Sequence, residues 1–195
     1  AALFGKLQEA LNSSMPLRDL DLTEEDEKIM LGFGFLSRKP ILILLNLGDG
    51  QDAPKPDYPH KRSKVVDLQG RLEMDLVQLP QEDSALFMEE YGIKELGLSR
   101  LISESYDLLG LQSFFTVGED EVRAWTVNRG AYAPQAAGVV HSDMEKGFIR
   151  AEVISYNDMI ETGSLAEARN KGKLRLEGKQ YIVQDGDILS IRFTS

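Results

Sequence analysis

The sequence predicts an α+β protein: a short helical hairpin, then a partial α/β segment, then a compact mixed C-terminal domain. Three observations point there. Residues 1–38 carry helical spacing with a strong start signal at Thr23. Ile41-Leu42-Ile43-Leu44-Leu45 is an unbroken apolar run of strand length. From Gln112 onward the pattern turns to alternating stretches separated by glycine turns. With 195 residues, 42% of them hydrophobic, the chain has material for one large domain or two small ones.

Taken in order, Leu3, Phe4, Leu7, Ala10 and Leu11 share one helical face over residues 1–13. Asn12-Ser13-Ser14 and Pro16 then break it; the sequon there reads as a loop. Thr23 is a good N-cap, and Glu24, Glu25 and Asp26 place acids in a first turn, where the helix dipole favours them. Ile29, Met30 and Phe33 give that helix its apolar face, Gly32 and Gly34 weaken its end, and Pro40 closes it. Two short antiparallel helices are the simplest reading.

The 41–45 run is continuous rather than alternating, as in a strand of a parallel sheet covered on both faces. Gly48, Asp49 and Gly50 end it. Gln51–Lys64, with Pro54, Pro56 and Pro59, reads as an exposed loop, and Val65-Val66 as a second short strand. Helices are expected over Glu82–Tyr91 and Ser99–Leu109, with Gly92 and Gly110 as stops. One strand and a fragment do not make a doubly wound sheet, so further strands are expected N-terminal to this segment, and an exposed sheet face near Ile41–Leu45 without them.

In the last part, EVRAWTV (121–127) and FIRAEVI (148–154) alternate like strands. A helix is expected over Tyr156–Asn170. Leu174–Leu176, Tyr181–Val183 and Ile188–Phe193 read as short strands, separated by Glu177-Gly178-Lys179 and by Gln184-Asp185-Gly186-Asp187. Strands, a helix, then more strands suggest a compact α+β domain such as a β-grasp.

Composition excludes several classes of function. With no cysteine and two histidines, at 60 and 141, thiolate metal sites, catalytic thiols and a histidine cluster are ruled out. No stretch has the length of a membrane span or the order of a secretion signal, and a cytoplasmic monomer is expected. The net charge of −10 argues against general nucleic-acid affinity. It is uneven, however: residues 1–109 hold 12 Lys and Arg against 20 Asp and Glu, a balance of −8, while residues 110–195 hold 10 against 12, a balance of −2. A polyanion partner is to be sought in the second part.

The phosphate-cradling pattern G-x-x-x-x-G-K-[ST] does not occur; Gly-Lys stands at 5–6, 172–173 and 178–179 without it. Asn46-Leu47-Gly48-Asp49, at a strand end, has the Asn-x-x-Asp form that can hold a purine, with Asn bracing the loop and the acid accepting from the base edge. A turn whose Asn and Asp satisfy local backbone groups has the same form. Arg169, Lys171, Lys173, Arg175 and Lys179 are a cationic concentration in the second part of the chain, with only Glu177 opposing them locally. They read either as an RNA-phosphate contact or as an ordinary solvated face. His141 and Trp125 read as structural.

LLGLQSFFTVG (108–118), EVRAWTV (121–127), GAYAPQAAGVVHSDMEKGFIRAEVISYNDM (130–159) and KLRLEGKQYIVQDGDILSIRF (173–193) together resemble the C-terminal part of the YchF-type, Obg-like ATPases of the P-loop GTPase superfamily. LTEEDEKIMLGFGFLSRKPILILLNL (22–47) is similar to the stretch where that family leaves a helical coiled-coil insertion and re-enters its nucleotide domain. The resemblance implies a helical remnant over 1–38, the base-recognition half of a nucleotide-binding domain over 39–109, and a ubiquitin-like β-grasp TGS domain over 110–195.

Asn46-Leu47-Gly48-Asp49 occupies the base-recognition position. Leu47 follows the ATPase pattern, where GTPases carry Lys, and Asp49 keeps the guanine-type acid. At VVDLQGRLE (65–73), Gln69-Gly70-Arg71 stand where the family shows a Ser-Ala-Lys-like element, with Gly70 best able to admit a close backbone approach. The resemblance therefore implies base contact by Asn46, Leu47, Asp49 and Gly70. It implies RNA or ribosome contact by the 169–179 cations through the TGS domain. ATP or GTP with Mg2+ belongs to the longer relative; no cofactor is expected in this chain, whose resemblance spans the second half of the family's usual length.

The leading expectation is a docking and regulatory module without its own catalysis. The alternatives are a nucleotide hydrolase completed by an N-terminal half or partner chain, and a nucleotide-independent protein-binding β-grasp adaptor.

Overall fold

The computed structural model describes residues 2–48, 51, 56–90, 93, 95–118 and 121–194. It divides between Leu109 and Gly110 into two compact units.

The first unit begins with α1 (Ala2–Asn12), a 3-10 turn at Leu17–Asp19 and α2 (Glu24–Met30). Their shared apolar cluster is Leu7, Ala10, Leu17 and Met30, with Leu3, Leu20, Leu22 and Phe35 packed against it. Thr23 caps α2 as its sequence position suggests: its hydroxyl accepts from Asp26 N at 3.2 Å and the Asp26 carboxylate accepts from Thr23 N at 3.3 Å. A second 3-10 turn, Leu36–Arg38, leads into β1 (Ile41–Asn46).

β2 (Ser63–Leu68) runs parallel to β1, with Ile41 opposite Ser63 and Asn46 opposite Leu68. Among the described residues two strands form this sheet, the apolar run is not covered throughout, and Leu44 stays 41% exposed. Between the strands, the loop expected over Gln51–Lys64 is tied down at its far end. Arg18, buried, donates to the carbonyls of Ser37 (3.0 Å) and Lys39 (3.1 Å) and to the Tyr58 hydroxyl (2.7 Å). The Asp19 carboxylate takes the His60 ring at 2.7 Å and Lys61 N at 2.8 Å. The hydrogen bond from His60 comes first among the causes that hold this carboxyl below the usual carboxylate range.

Three helices complete the unit: α3 (Gly70–Gln78), α4 (Gln81–Glu90) and α5 (Gly97–Leu109). The last two fall where helices are expected; Tyr91 and Gly92, the expected end and stop of the first, lie outside the described residues, as do Gly50 and Pro54 in the loop. Glu73 on α3 caps α5, its carboxylate accepting from Gly97 N at 2.7 Å.

The second unit opens with β3 (Leu111–Val117), β4 (Val122–Asn128), α6 (Ala133–Val140), α7 (Ser142–Lys146) and β5 (Phe148–Ser155). It continues with α8 (Tyr156–Thr162), α9 (Leu165–Asn170), β6 (Arg175–Glu177) and β7 (Asp187–Phe193). The five strands lie in the order β4-β3-β7-β5-β6. β3 and β7 are parallel; the other pairs are antiparallel.

Alternation gives the sheet two apolar faces. Phe114, Val127, Ala151, Val153 and Leu189 meet Ala133, Ala136 and Ala137 of α6 in the larger core. On the other face, Ile154 and Ile188 meet Ala168 of α9, with Phe115, Met159 and Leu165 against them.

Two expectations for this unit are corrected. The single helix over Tyr156–Asn170 is two, because Gly163 takes a left-handed φ of +74° as the C-cap of α8 and Ser164 then caps α9, accepting from Glu167 N at 3.2 Å. Tyr181–Val183 is not a sheet strand. It pairs instead with the segment before α6: Ala133 N donates to Tyr181 O at 2.8 Å and Val183 N to Ala131 O at 3.0 Å.

Candidate functional site

At the carboxyl end of β1 the ladder runs on one residue, Leu47 N donating to Leu68 O at 2.8 Å. The exposed Asn46 turns its side-chain oxygen to the start of α3 and accepts from Gly70 N at 3.2 Å. This bond joins the β1 end to the loop after β2. A Cβ at position 70 would lie 2.9 Å from Asn46 Oδ1, so a side chain there would push the Asn46 carboxamide aside. Gly48 N donates to the Gln51 side-chain oxygen at 3.1 Å. Asp49, the fourth candidate, lies outside the described residues.

Beside these residues, at the carboxyl end of β2, is an open cavity of about 410 Å³, with Asp67, Gln69, Glu73, Glu95, Gly97 and Arg100 in its wall. Among its charged side chains the carboxylates of Asp67, Glu73 and Glu95 outnumber Arg100, which is already paired with Asp67 at 3.6 Å. Such a wall repels phosphate. Among the described residues no group of three or more His, Asp or Glu side chains is placed to hold a metal, and no helix is long and apolar enough to cross a membrane.

The cationic run of the second unit is divided by the fold. Arg169 ends α9 on one face of the sheet. Arg175 pairs in register with Val153 on β6, so its side chain lies on the opposite face, with the larger core. There it donates to the Tyr181 hydroxyl at 3.1 Å and stands 3.7 Å from the carboxylates of Glu177 and Asp187.

Nor is Glu177 the sole opposing acid. Arg169 is paired with Glu152 at 2.8 Å and Lys173 with Asp158 at 2.8 Å. These carboxylates arrive from β5 and α8, distant in sequence, which is why a local reading of charge misses them. The hydrogen bond from Lys173, then that from Ser155, holds Asp158 below the usual carboxylate range. Lys171 and Lys179 are exposed, and no ion pair to either occurs among the described residues.

Two further arginines escape the sequence reading because each stands alone in the chain. Arg150 on β5 and Arg192 on β7 are register partners, and both are exposed. They share the Arg169 side of the sheet: Arg192 binds the other oxygen of Glu152 at 3.2 Å, opposite Arg169. Burial works against ionisation of Glu152, but the hydrogen bonds from Arg192 and Arg169 prevail and hold it below the usual carboxylate range.

Residues 111–194, nearly the whole of the second unit, match the YchF-GTPase_C family, described as a protein of unknown function. Among curated proteins, the Ribosome-binding ATPase YchF of Bacillus subtilis (strain 168) is 41% identical over 201 residues, which cover 98% of this chain and 55% of that protein. The chain is homologous to the YchF proteins over 98% of its length. The Ribosome-binding ATPase YchF of Escherichia coli O157:H7 is likewise 41% identical, over 98% of the chain and 55% of its own length. The solved Schizosaccharomyces pombe YchF GTPase superposes with a TM-score of 0.79 at 27% identity, over 98% of this chain and 53% of that one. The chain thus spans about half the length of the YchF relatives it matches.

Proposed function

We propose that this chain is the docking and regulatory part of a translation-associated YchF nucleotide hydrolase. In this reading residues 110–195 form a TGS β-grasp domain that contacts RNA on the ribosome, and residues 39–109 are the base-recognition half of the nucleotide domain. The observation that carries the reading is a match over 98% of the chain to proteins named ribosome-binding ATPases. The mixed five-stranded sheet with helices on both faces suits a β-grasp, and the near-neutral charge of the second unit suits a polyanion contact better than the acidic first unit does.

ATP or GTP with Mg2+ would be bound by the longer protein. The residues described here fit the base end of such a site and nothing more of it. The Asn46–Gly70 bond supports a bracing role for Asn46, Leu47 and Asp49 would complete the base contact, and the acidic groups of the neighbouring cavity offer no cradle for phosphate. When bound, the nucleotide would supply the phosphoryl chemistry; this chain's part is to hold the purine and to carry the docking surface.

The docking cations are tested by charge reversal. Arg175 is left out, since it stands against the buried Asp187 and its reversal would disturb the fold. With Lys171, Lys173 and Lys179 all changed to Glu, pelleting with ribosomes at low salt should weaken by about tenfold or more, because each lost phosphate contact removes released counterions. Unchanged pelleting would remove the lysine run from the docking surface.

A further inference from the structure

The sheet face beneath α9 brings together three guanidinium groups that the sequence scatters over 42 positions. Arg150 and Arg192 are directly opposed on the adjacent strands β5 and β7, and residues so paired project to the same side. Glu152 lies two residues along β5, hence also on that side, and is opposed to Ser190. Arg169 reaches the same carboxylate from α9. One oxygen of Glu152 takes Arg169 at 2.8 Å and the other takes Arg192 at 3.2 Å.

This is an anion-receptor arrangement built round a resident carboxylate. Glu152 is half-buried, while the arginine side chains keep 65% and 59% exposure. Each guanidinium carries five donors, so the single bonds of Arg169 and Arg192 to Glu152 leave donors for a second, incoming anion. Arg150 adds a third cation for which no ion pair occurs among the described residues. Net charge over the four groups is +2, in a chain that carries −10 overall. A cleft of about 240 Å³ adjoins them, lined by Val117, Leu165 and Leu174 together with Glu152, Arg169 and Arg192.

We infer that Arg169 and Arg192, positioned by Glu152, together with Arg150 form the main phosphodiester contact of this chain, and that their ligand is single-stranded or looped RNA. The inference rests on the docking reading and gives it a different centre from the lysine run. RNA is favoured over an acidic protein because the exposed side chains of this cluster are charged. Protein interfaces are depleted of charge at their cores and rely on buried apolar anchors. Backbone recognition of RNA needs only positioned cations, and arginine's planar fork suits phosphate. The apolar cleft gives a base or ribose a surface to pack on without reading sequence.

The test uses the full chain and a short fluorescein-labelled single-stranded RNA, with anisotropy measured across a salt series. Arg150→Ala/Arg169→Ala/Arg192→Ala is compared with Lys171→Ala/Lys179→Ala. Arg150→Ala alone, which breaks no described ion pair, guards against loss of fold. The arginine variant should bind at least about tenfold more weakly, with the salt slope reduced by about 2, and Arg150→Ala should lower the slope by about 0.7.

Unchanged binding in the arginine variants with loss in the lysine variant would overturn the inference and leave docking in place. If the wild-type chain ignores RNA yet pellets with ribosomes, and the arginine variants do not, the partner is a protein and the RNA assignment falls. A wild-type chain that binds neither RNA nor ribosomes would sink the docking reading itself.

Discussion

Replacing Gly147 by alanine should destabilise the second unit by about 3 kcal/mol, a loss at the upper end for overpacking. Gly147 is the C-cap of α7, immediately before β5, with φ −88° and ψ 6°. Alanine tolerates that conformation, so backbone strain is not the reason. The obstacle is the end of the chain: Thr194 N donates to Gly147 O at 2.9 Å, and a Cβ would lie 2.0 Å from the Thr194 carbonyl oxygen and 3.1 Å from its carbon. These are backbone atoms, held by the β5–β7 ladder, which already slips register between Phe148 and Arg150. The single tryptophan, Trp125, lies in this unit and reports its melting. For a unit of this size the transition should fall by roughly 12–24 °C. An unchanged melting temperature would show that the chain end moves aside at no cost.

That contact could not have been read from the sequence, and the contrast with what could is instructive. Thr23 with its acidic first turn, the 41–45 apolar run and the alternation in 121–127 and 148–154 are local signals, and each produced its element. Helix α6 was missed because its buried residues, Ala133, Ala136 and Ala137, are small. They pack by close approach and leave no large apolar period to count. Strand β3 is central, with Gln112 buried in it; its side chain donates to Val183 O at 2.6 Å, so a polar residue interrupts the alternation.

At the candidate sites the limit is the same. Asn46 and Gly70 are 24 residues apart and were linked only through family resemblance. The carboxylates that hold Arg169, Lys173 and Arg175 come from other elements, and Arg150 and Arg192 meet only through strand register.

A second large loss is expected at Asp187. Its carboxyl group, 2% exposed, accepts from the Tyr181 hydroxyl at 2.7 Å and from Gln184 N at 2.8 Å, and faces Arg175 at 3.7 Å. These bonds set the turn whose Gly186, at φ +80°, donates through its N–H to Ser113 O at 2.8 Å and so joins β7 to β3. Asp187→Ala leaves a buried hydroxyl, a backbone amide and a guanidinium short of an acceptor, which should cost about 3 kcal/mol. Asp187→Asn keeps the shape and one acceptor and should cost less. Equal stability of wild type and Asp187→Ala would mean that water replaces the carboxylate freely.

The same cluster predicts a pH dependence. Burial first, and then the bond to Asp187, push the Tyr181 phenol up to about 12. A group whose pKa is raised on folding stabilises the fold fully below its unfolded value, near 10 for tyrosine, and that contribution disappears as pH rises through the folded value. Ultraviolet titration of the six tyrosines should therefore show one ionising last, near pH 12 or with alkaline unfolding, and Tyr181→Phe should remove it. If the late step persists in Tyr181→Phe, another tyrosine is the protected one.

The most direct test of the docking reading is co-sedimentation of the chain with ribosomes across a salt series, with and without ATP or GTP. Phosphate contacts predict pelleting that is strong at low salt, falls steeply as salt rises and ignores nucleotide, since in the proposed reading this chain carries the docking surface without a phosphate cradle. Pelleting that is absent at low salt, or that appears only with nucleotide, would contradict the account.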